Sequence, residues 1–191
     1  MRTLTAGLAA GLVLLLAGAF GGCAEQGPEP APDQRETETP SLLDVDLELT
    51  FHRNEEPVQV SRPVSVPLEP GQVELAPEVH LEQALTALVH GPTPAEAEMG
   101  LTSFFSQETG DILRRAVVEN GRAVVDFHDF RTLIPGASSS AGSLAFLNQL
   151  NGTVFAAVPV DEVEYRLEGS CEEFWAFLQR ECTVVPRPQR S

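Results

Sequence analysis

The sequence predicts one folded domain that mixes β-strands with α-helices, and three patterns carry that reading. Residues 44–53 alternate Val45, Leu47, Leu49 and Phe51 with Asp46, Glu48 and Thr50, the two-residue period of a strand with one buried face. Leu81, Ala84, Leu85, Leu88 and Val89 recur at i, i+3, i+4, i+7 and i+8, the spacing of an amphipathic helix. Two β-rich runs, 112–119 and 122–128, flank Asn120 and Gly121, the strongest short-range hairpin signal. A chain of 191 residues with 42% hydrophobic content leaves, behind a leader, about one domain's worth of core.

The leader comes first. Arg2 is a short basic start, residues 3–24 carry no charge, and the apolar stretch 4–20 ends in Phe20, Gly21, Gly22 and Cys23. This is an export signal over 1–22. Two small residues before a cysteine resemble the bacterial lipobox, in which the Cys23 thiol is acylated and becomes the mature N-terminus; Phe20 departs from the usual Leu. The alternative is a permanent membrane anchor, but a span needs about 20 apolar residues, and this stretch is short and Gly-rich. Residues 23–41 follow as a tether, with Pro28, Pro30, Pro32 and Pro40 set among Glu25, Glu29, Asp33, Glu36 and Glu38. Such a segment is extended at about 3 Å per residue, enough to hold a domain on the order of 50 Å from a bilayer.

The domain is expected over 42–184. After the first strand, 55–77 holds Pro57, Pro63, Pro67, Pro70 and Pro77, so its Val-rich pieces can only be edge strand or loop. The helix through Val89 stops at His90 and Gly91, where the helix dipole favours a cation at His90. Thr93 is an N-cap, Pro94 fits the first helical position and Glu96 completes a capping box, with the short helix ending at Gly100. Counting outward from the Asn120–Gly121 turn pairs Glu119 with Arg122, Val117 with Val124, Arg115 with Asp126 and Leu113 with His128. The opposite face, with Val118, Ala123, Ala116, Val125 and Phe127, is the expected core face, with Arg114 across its rim. Ser138–Ser140 cap a second long helix to about Ala157 that buries Leu144, Phe146, Leu147, Leu150, Val154 and Phe155, with Asn151 satisfied by nearby backbone. Val163, Tyr165 and Leu167 alternate with Glu162, Glu164, Arg166 and Glu168 as a further strand closed by Gly169. Phe174, Trp175, Phe177 and Leu178 mark a short helix over 172–180, and 185–191 reads as a polar tail.

Once Cys23 is set aside for lipid, Cys171 and Cys182 remain as an even pair, expected to be bridged in an oxidising compartment and to staple that short helix. Two free thiols are the other reading, and a zinc site lacks close ligand pairs and a nearby His. Twelve basic residues against 28 acidic give a net charge of −16, and every basic residue is Arg. That rules out phosphate-cradling or Schiff-base lysines and disfavours nucleic acid as a partner. No G-x-S-x-G, H-E-x-x-H, G-x-G-x-x-G or C-x-x-C motif occurs, so no metal or cofactor is expected. His128 with Asp126, Asp129 and Ser138–Ser140 is the only set that can be drawn as a hydrolytic triad, and adjacent strand residues face opposite ways, so the two aspartates cannot both orient the imidazole. Tyr165 and Trp175 are a candidate aromatic ligand platform; core anchoring is the other use of such a stripe.

The run Leu85–Thr86–Ala87–Leu88–Val89–His90–Gly91–Pro92–Thr93–Pro94–Ala95–Glu96, followed by Gly100–Leu101–Thr102–Ser103, resembles the signature of the sporulation and spore germination (GerMN) domain. Val125–Asp126–Phe127, the capped helix from Gly136 and the strand closing on Gly169 are similar to the rest of that family, over about 45–182. The resemblance implies a small α+β domain with a mixed sheet, β-α-β-β-α-β in outline, like the ring-building modules of envelope complexes, here with the disulfide-stapled helix added. It implies an exported lipoprotein without catalytic residues, held to the membrane through Cys23 and acting by contact with an envelope protein or another copy of itself. Gly91, Pro92, Thr93, Glu96 and Gly100 are then fold-determining residues with a candidate binding role. The competing class is a lipoprotein that recognises a cell-wall component or small solute.

Overall fold

The computed structural model describes residues 41–189 apart from 70 and 73. The expectations for the leader, Cys23 and the tether fall on residues outside that range. No helix among the described residues is long and apolar enough to cross a membrane.

The architecture is α+β with two sheets. Strands β1 (Leu42–Arg53) and β2 (Glu56–Pro67) form an antiparallel hairpin. Helices α1 (Pro77–Val89) and α2 (Pro94–Glu98) follow, then the hairpin β3 (Leu113–Glu119) and β4 (Arg122–Phe127), helix α3 (Ser140–Ala157), β5 (Glu162–Leu167), α4 (Cys171–Phe177) and β6 (Val185–Pro186). The second sheet runs β3-β4-β5-β6; β4 and β5 are parallel across the α3 crossover, and the other pairs are antiparallel. The element order keeps the β-α-β-β-α-β outline with β2 and β6 added, and the second sheet is mixed as expected, but the first strand is not part of it: β1 pairs with β2 in a sheet of its own. Helices α1 and α3 pack on each other and on β1, α1 also meets β3, and α4 lies on β5.

β2 shows why prolines are tolerated there. His52 exchanges both backbone hydrogen bonds with Thr102 (2.9 and 2.8 Å), so the even-numbered residues of β1 turn their N–H and C=O groups away from β2. Pro57, Pro63 and Pro67 stand opposite His52, Asp46 and Leu42. Their missing N–H groups therefore belong to the free edge, where proline costs no ladder bond and blunts pairing with a further strand.

The Asn120–Gly121 hairpin has the expected register from Glu119↔Arg122 to Arg115↔Asp126, and Ala123, Val125 and Phe127 are fully buried. A bulge at Arg114 then brings Leu113 opposite Phe127 rather than His128. The extra residue re-aims the arginines: Arg114, not Arg115, bonds Asp126, through Nη1 to Oδ2. Arg122 likewise leaves Glu119 for Glu162 and Glu164, because the parallel neighbour β5 sets two carboxylates on the same wet face.

The core is built on aromatic rings. Phe174 stacks on Tyr165 (centroids 5.2 Å apart) and on Phe127 (6.2 Å), while Phe130 meets Phe127, Phe146 and Phe177. Such pairs add about 0.5–1.5 kcal/mol each beyond area burial. Asn151 is satisfied by a side chain rather than by backbone, since Tyr165 Oη donates to its Oδ1 at 2.9 Å. Of the residues expected on the buried arc of α3, Leu144 is instead 57% exposed.

The Cys171–Cys182 bridge is formed, with Cα atoms 5.5 Å apart. It spans α4, whose seven residues are too few for stability alone. Replacing both cysteines by Ala is expected to lower the unfolding free energy by about 3 kcal/mol on the loop-entropy model. Urea titration reads this directly, and a loss under about 1 kcal/mol would mean that ring packing alone holds α4. The segment expected as a tail is partly ordered into the fold. Val185 pairs with Val163, and the Arg187 guanidinium donates to the carbonyl of Phe155 in the last turn of α3 and to those of Val158 and Val160 just beyond it.

Candidate functional site

The signature residues lie where α1, α2 and β2 meet. Gly91 ends α1 with φ +75°, and a Cβ there would stand 2.3 Å from the Phe105 carbonyl oxygen. Thr93 caps α2 reciprocally: its hydroxyl accepts from Glu96 N (3.3 Å), and its own N–H donates to Glu96 Oε2 (2.7 Å). Gly100 follows α2 with φ +82° and open space around its Cβ position.

Local sequence does not reveal what Glu96 does next. Arg62 of β2 donates to both carboxylate oxygens, Nε to Oε1 at 3.2 Å and Nη2 to Oε2 at 2.5 Å, and also to the carbonyls of Ala87 and Gly91. The guanidinium lies over the Phe51 ring, 5.6 Å from its centre. Glu96 is only 6% exposed. Burial alone would raise its carboxyl pKa, but the hydrogen bonds from Arg62 and the Thr93 backbone outweigh that and hold it below the usual range. A single carboxylate thus caps α2 and ties β2 to the α1–α2 connection. The second half of the signature docks on α3, where buried Gln149 accepts from Phe104 N and exchanges hydrogen bonds with Ser103.

Val125–Asp126–Phe127 has a similar explanation. Asp126 accepts from Gly169 N at 2.8 Å and from Arg114, tying the ends of β4 and β5 to the β3 bulge. His128 points elsewhere, its Nδ1 lying 3.2 Å from Glu168 Oε1 on an exposed edge. Asp129 is held by Arg131, whose hydrogen bonds depress its carboxyl pKa. Ser139 accepts from Gly142 N as the cap of α3. The residues that could be drawn as a triad are therefore spread over separate structural tasks.

Tyr165 and Trp175 do not form an open platform. They are 0% and 2% exposed and pack on Phe174 from two sides, because the alternation of β5 and the seating of α4 both direct them inward. Among the described residues no group of three His, Cys, Asp or Glu side chains is placed to hold a metal ion.

A family model for sporulation and spore germination domains (Germane) matches residues 48–173. No protein of curated function matches the chain. Among solved structures, the tandem GerMN domains of the sporulation protein GerM from Bacillus subtilis are 20% identical, with a TM-score of 0.46, over 76% of this chain and 45% of that one. A putative lipoprotein from Clostridium perfringens is 13% identical, with a TM-score of 0.39, over 68% of this chain and 76% of that one. The chain thus spans less than half the length of the tandem-domain structure.

Proposed function

Because the chain belongs to the sporulation and spore germination domain family, we propose that it is a non-catalytic, exported, lipid-anchored protein of the cell envelope whose domain works by contact with other envelope proteins or with another copy of itself. The observation that carries the non-catalytic part is the occupation of the signature. Thr93 and Glu96 are bonded to each other, Glu96 also to Arg62, and Gly91 is required by backbone geometry, so neither polar side chain of the α1–α2 connection is left to act on a substrate. The export pattern at 1–22 and Cys23 supplies the anchor. The bridged Cys171 and Cys182 suit an oxidising compartment.

The test is site-specific photo-crosslinking in intact cells from Met99 and Leu133, apolar side chains that are 59% and 47% exposed. The expected result is a discrete protein adduct that depends on Cys23 being intact. Absence of an adduct from both positions, or an adduct unchanged by Cys23→Ala, would overturn the reading. A hydrolytic activity abolished by Ser139→Ala or His128→Ala would equally remove the non-catalytic assignment.

A further inference from the structure

The outer face of α3 lines two adjoining hollows that the assembly reading does not use. One, of about 480 Å³, lies against His52, Ser103, Phe104 and Leu144; the other, of about 600 Å³, lies against Thr50, Gln59, Asn151 and Phe155. Asn148 lines both, so the two hollows adjoin along α3 and together make up the groove. Its α3 wall runs from Ala141 to Ala156, about 22 Å at 1.5 Å per residue.

Three observations define what this groove suits. It is nearly uncharged although the chain carries 28 acidic residues. Glu55 is the single carboxylate among its described lining residues, and Arg187, the single guanidinium, spends Nε, Nη1 and Nη2 on carbonyls at and just beyond the end of α3. His52 is kept neutral by burial, which lowers its pKa. The polar groups that remain are the side-chain amides of Gln59 and Asn148 and the Nδ2 group of Asn151, whose Oδ1 already accepts from Tyr165, beside the ring of Phe104 and the ring of Phe155, which Arg187 covers on one face at 4.9 Å. Thr50 Oγ1 and His52 Nε2, on lining residues more than nine-tenths buried, have no hydrogen-bond partner, but both atoms are sealed from solvent, Thr50 Oγ1 against Gly152, so ligand contact falls to the accessible amides.

We propose that this groove binds an uncharged oligosaccharide bearing acetamido groups. Side-chain amides pair donor and acceptor with an acetamido group or with vicinal hydroxyls, and aromatic rings accept the apolar face of a sugar ring. A few polar groups on an otherwise apolar, concave wall are what orient such a ligand. An anionic ligand is repelled by the net charge of −16. A peptide adding itself as a strand is disfavoured because the neighbouring β2 edge has Pro57, Pro63 and Pro67 at outward-facing positions and offers no continuous row of donors.

The experiment titrates the full-length protein in detergent micelles with chitotetraose, followed by calorimetry, with cellotetraose, which lacks acetamido groups, as the comparison. Chitotetraose is expected to bind saturably with a Kd below about 1 mM, and cellotetraose at least about tenfold more weakly. The exposed or half-exposed changes Gln59→Leu and Asn148→Leu, which leave the core untouched, are each expected to weaken chitotetraose about tenfold without shifting Tm. The proposal is overturned by no saturation up to about 10 mM, by equal binding of the two sugars, or by wild-type affinity in both variants. Because Met99 and Leu133 do not line the groove, loss of sugar binding and loss of the protein adduct are separable results.

Discussion

Glu96→Gln is expected to lower the unfolding free energy by about 3 kcal/mol at neutral pH, the cost of leaving one member of a buried ion pair unmatched. The change keeps the shape of the side chain but sets a neutral amide against the Arg62 guanidinium, whose side chain is only 16% exposed and whose other partners are two carbonyls. A double variant, Glu96→Gln with Arg62→Met, should be less destabilised than the sum of the two single changes, since it removes the stranded charge as well. The pH dependence follows from the lowered pKa of the Glu96 carboxyl. A carboxyl whose folded pKa lies below its unfolded value contributes stability that is complete above the unfolded value, about 4.3. That stability is lost as pH falls through the folded value. The difference between wild type and Glu96→Gln in urea unfolding should therefore be largest near pH 7 and shrink below about pH 4. A difference that is flat with pH, or smaller than about 1 kcal/mol at pH 7, would show that the pair does not hold β2 to the helices.

Gly91→Ala should be at least as damaging. Its φ of +75° alone costs a non-glycine residue about 1–3 kcal/mol. The new methyl would also have to displace backbone, with Phe105 O at 2.3 Å and its carbonyl carbon at 2.9 Å, and overpacking of that kind adds about 1–3 kcal/mol. Gly100 is the internal control. It has the same backbone hand, φ +82°, but nothing near its Cβ position, so Gly100→Ala should cost only the same conformational part, about 1–3 kcal/mol, without the overpacking. Thermal melts of the two variants separate the terms, and equal shifts would mean that the Phe105 contact relaxes without cost.

The hairpin illustrates how far local patterns reach. The Asn120–Gly121 turn, the period-two alternation and the resulting core face are all short-range, and five of the six cross-strand partners in this hairpin follow from counting outward from the turn. The bulge at Arg114 does not follow, because counting from the turn carries no mark of it, and Asp126, the partner of Arg114, also accepts from Gly169 beyond β5. The capping box at Thr93 and Glu96 was legible for the same reason that the bulge was not: both of its partners lie within one turn of helix. The second task of Glu96 was hidden, since Arg62 is 34 residues away in a stretch whose prolines read as edge strand or loop. Arg187 was hidden likewise, its carbonyl acceptors lying 27 to 32 residues upstream.

By itself the sequence determined the kinds and order of the main strands and helices, the cap and turn residues and the cysteine pairing, because each rests on periodicity, on backbone preference or on the arithmetic of a few residues; the family followed from the resemblance of residues 85–103 to a known signature. Only the tertiary structure decided what the charged and aromatic side chains are for: that Arg62 closes the signature, that Asp126 ties strand ends, that Tyr165 and Trp175 belong to the core, and that an amide-lined groove runs along α3. Those outcomes depend on which distant surfaces are brought together and dried. The energy of an ion pair or a buried ring is set by that desolvation, which no local stretch of sequence encodes.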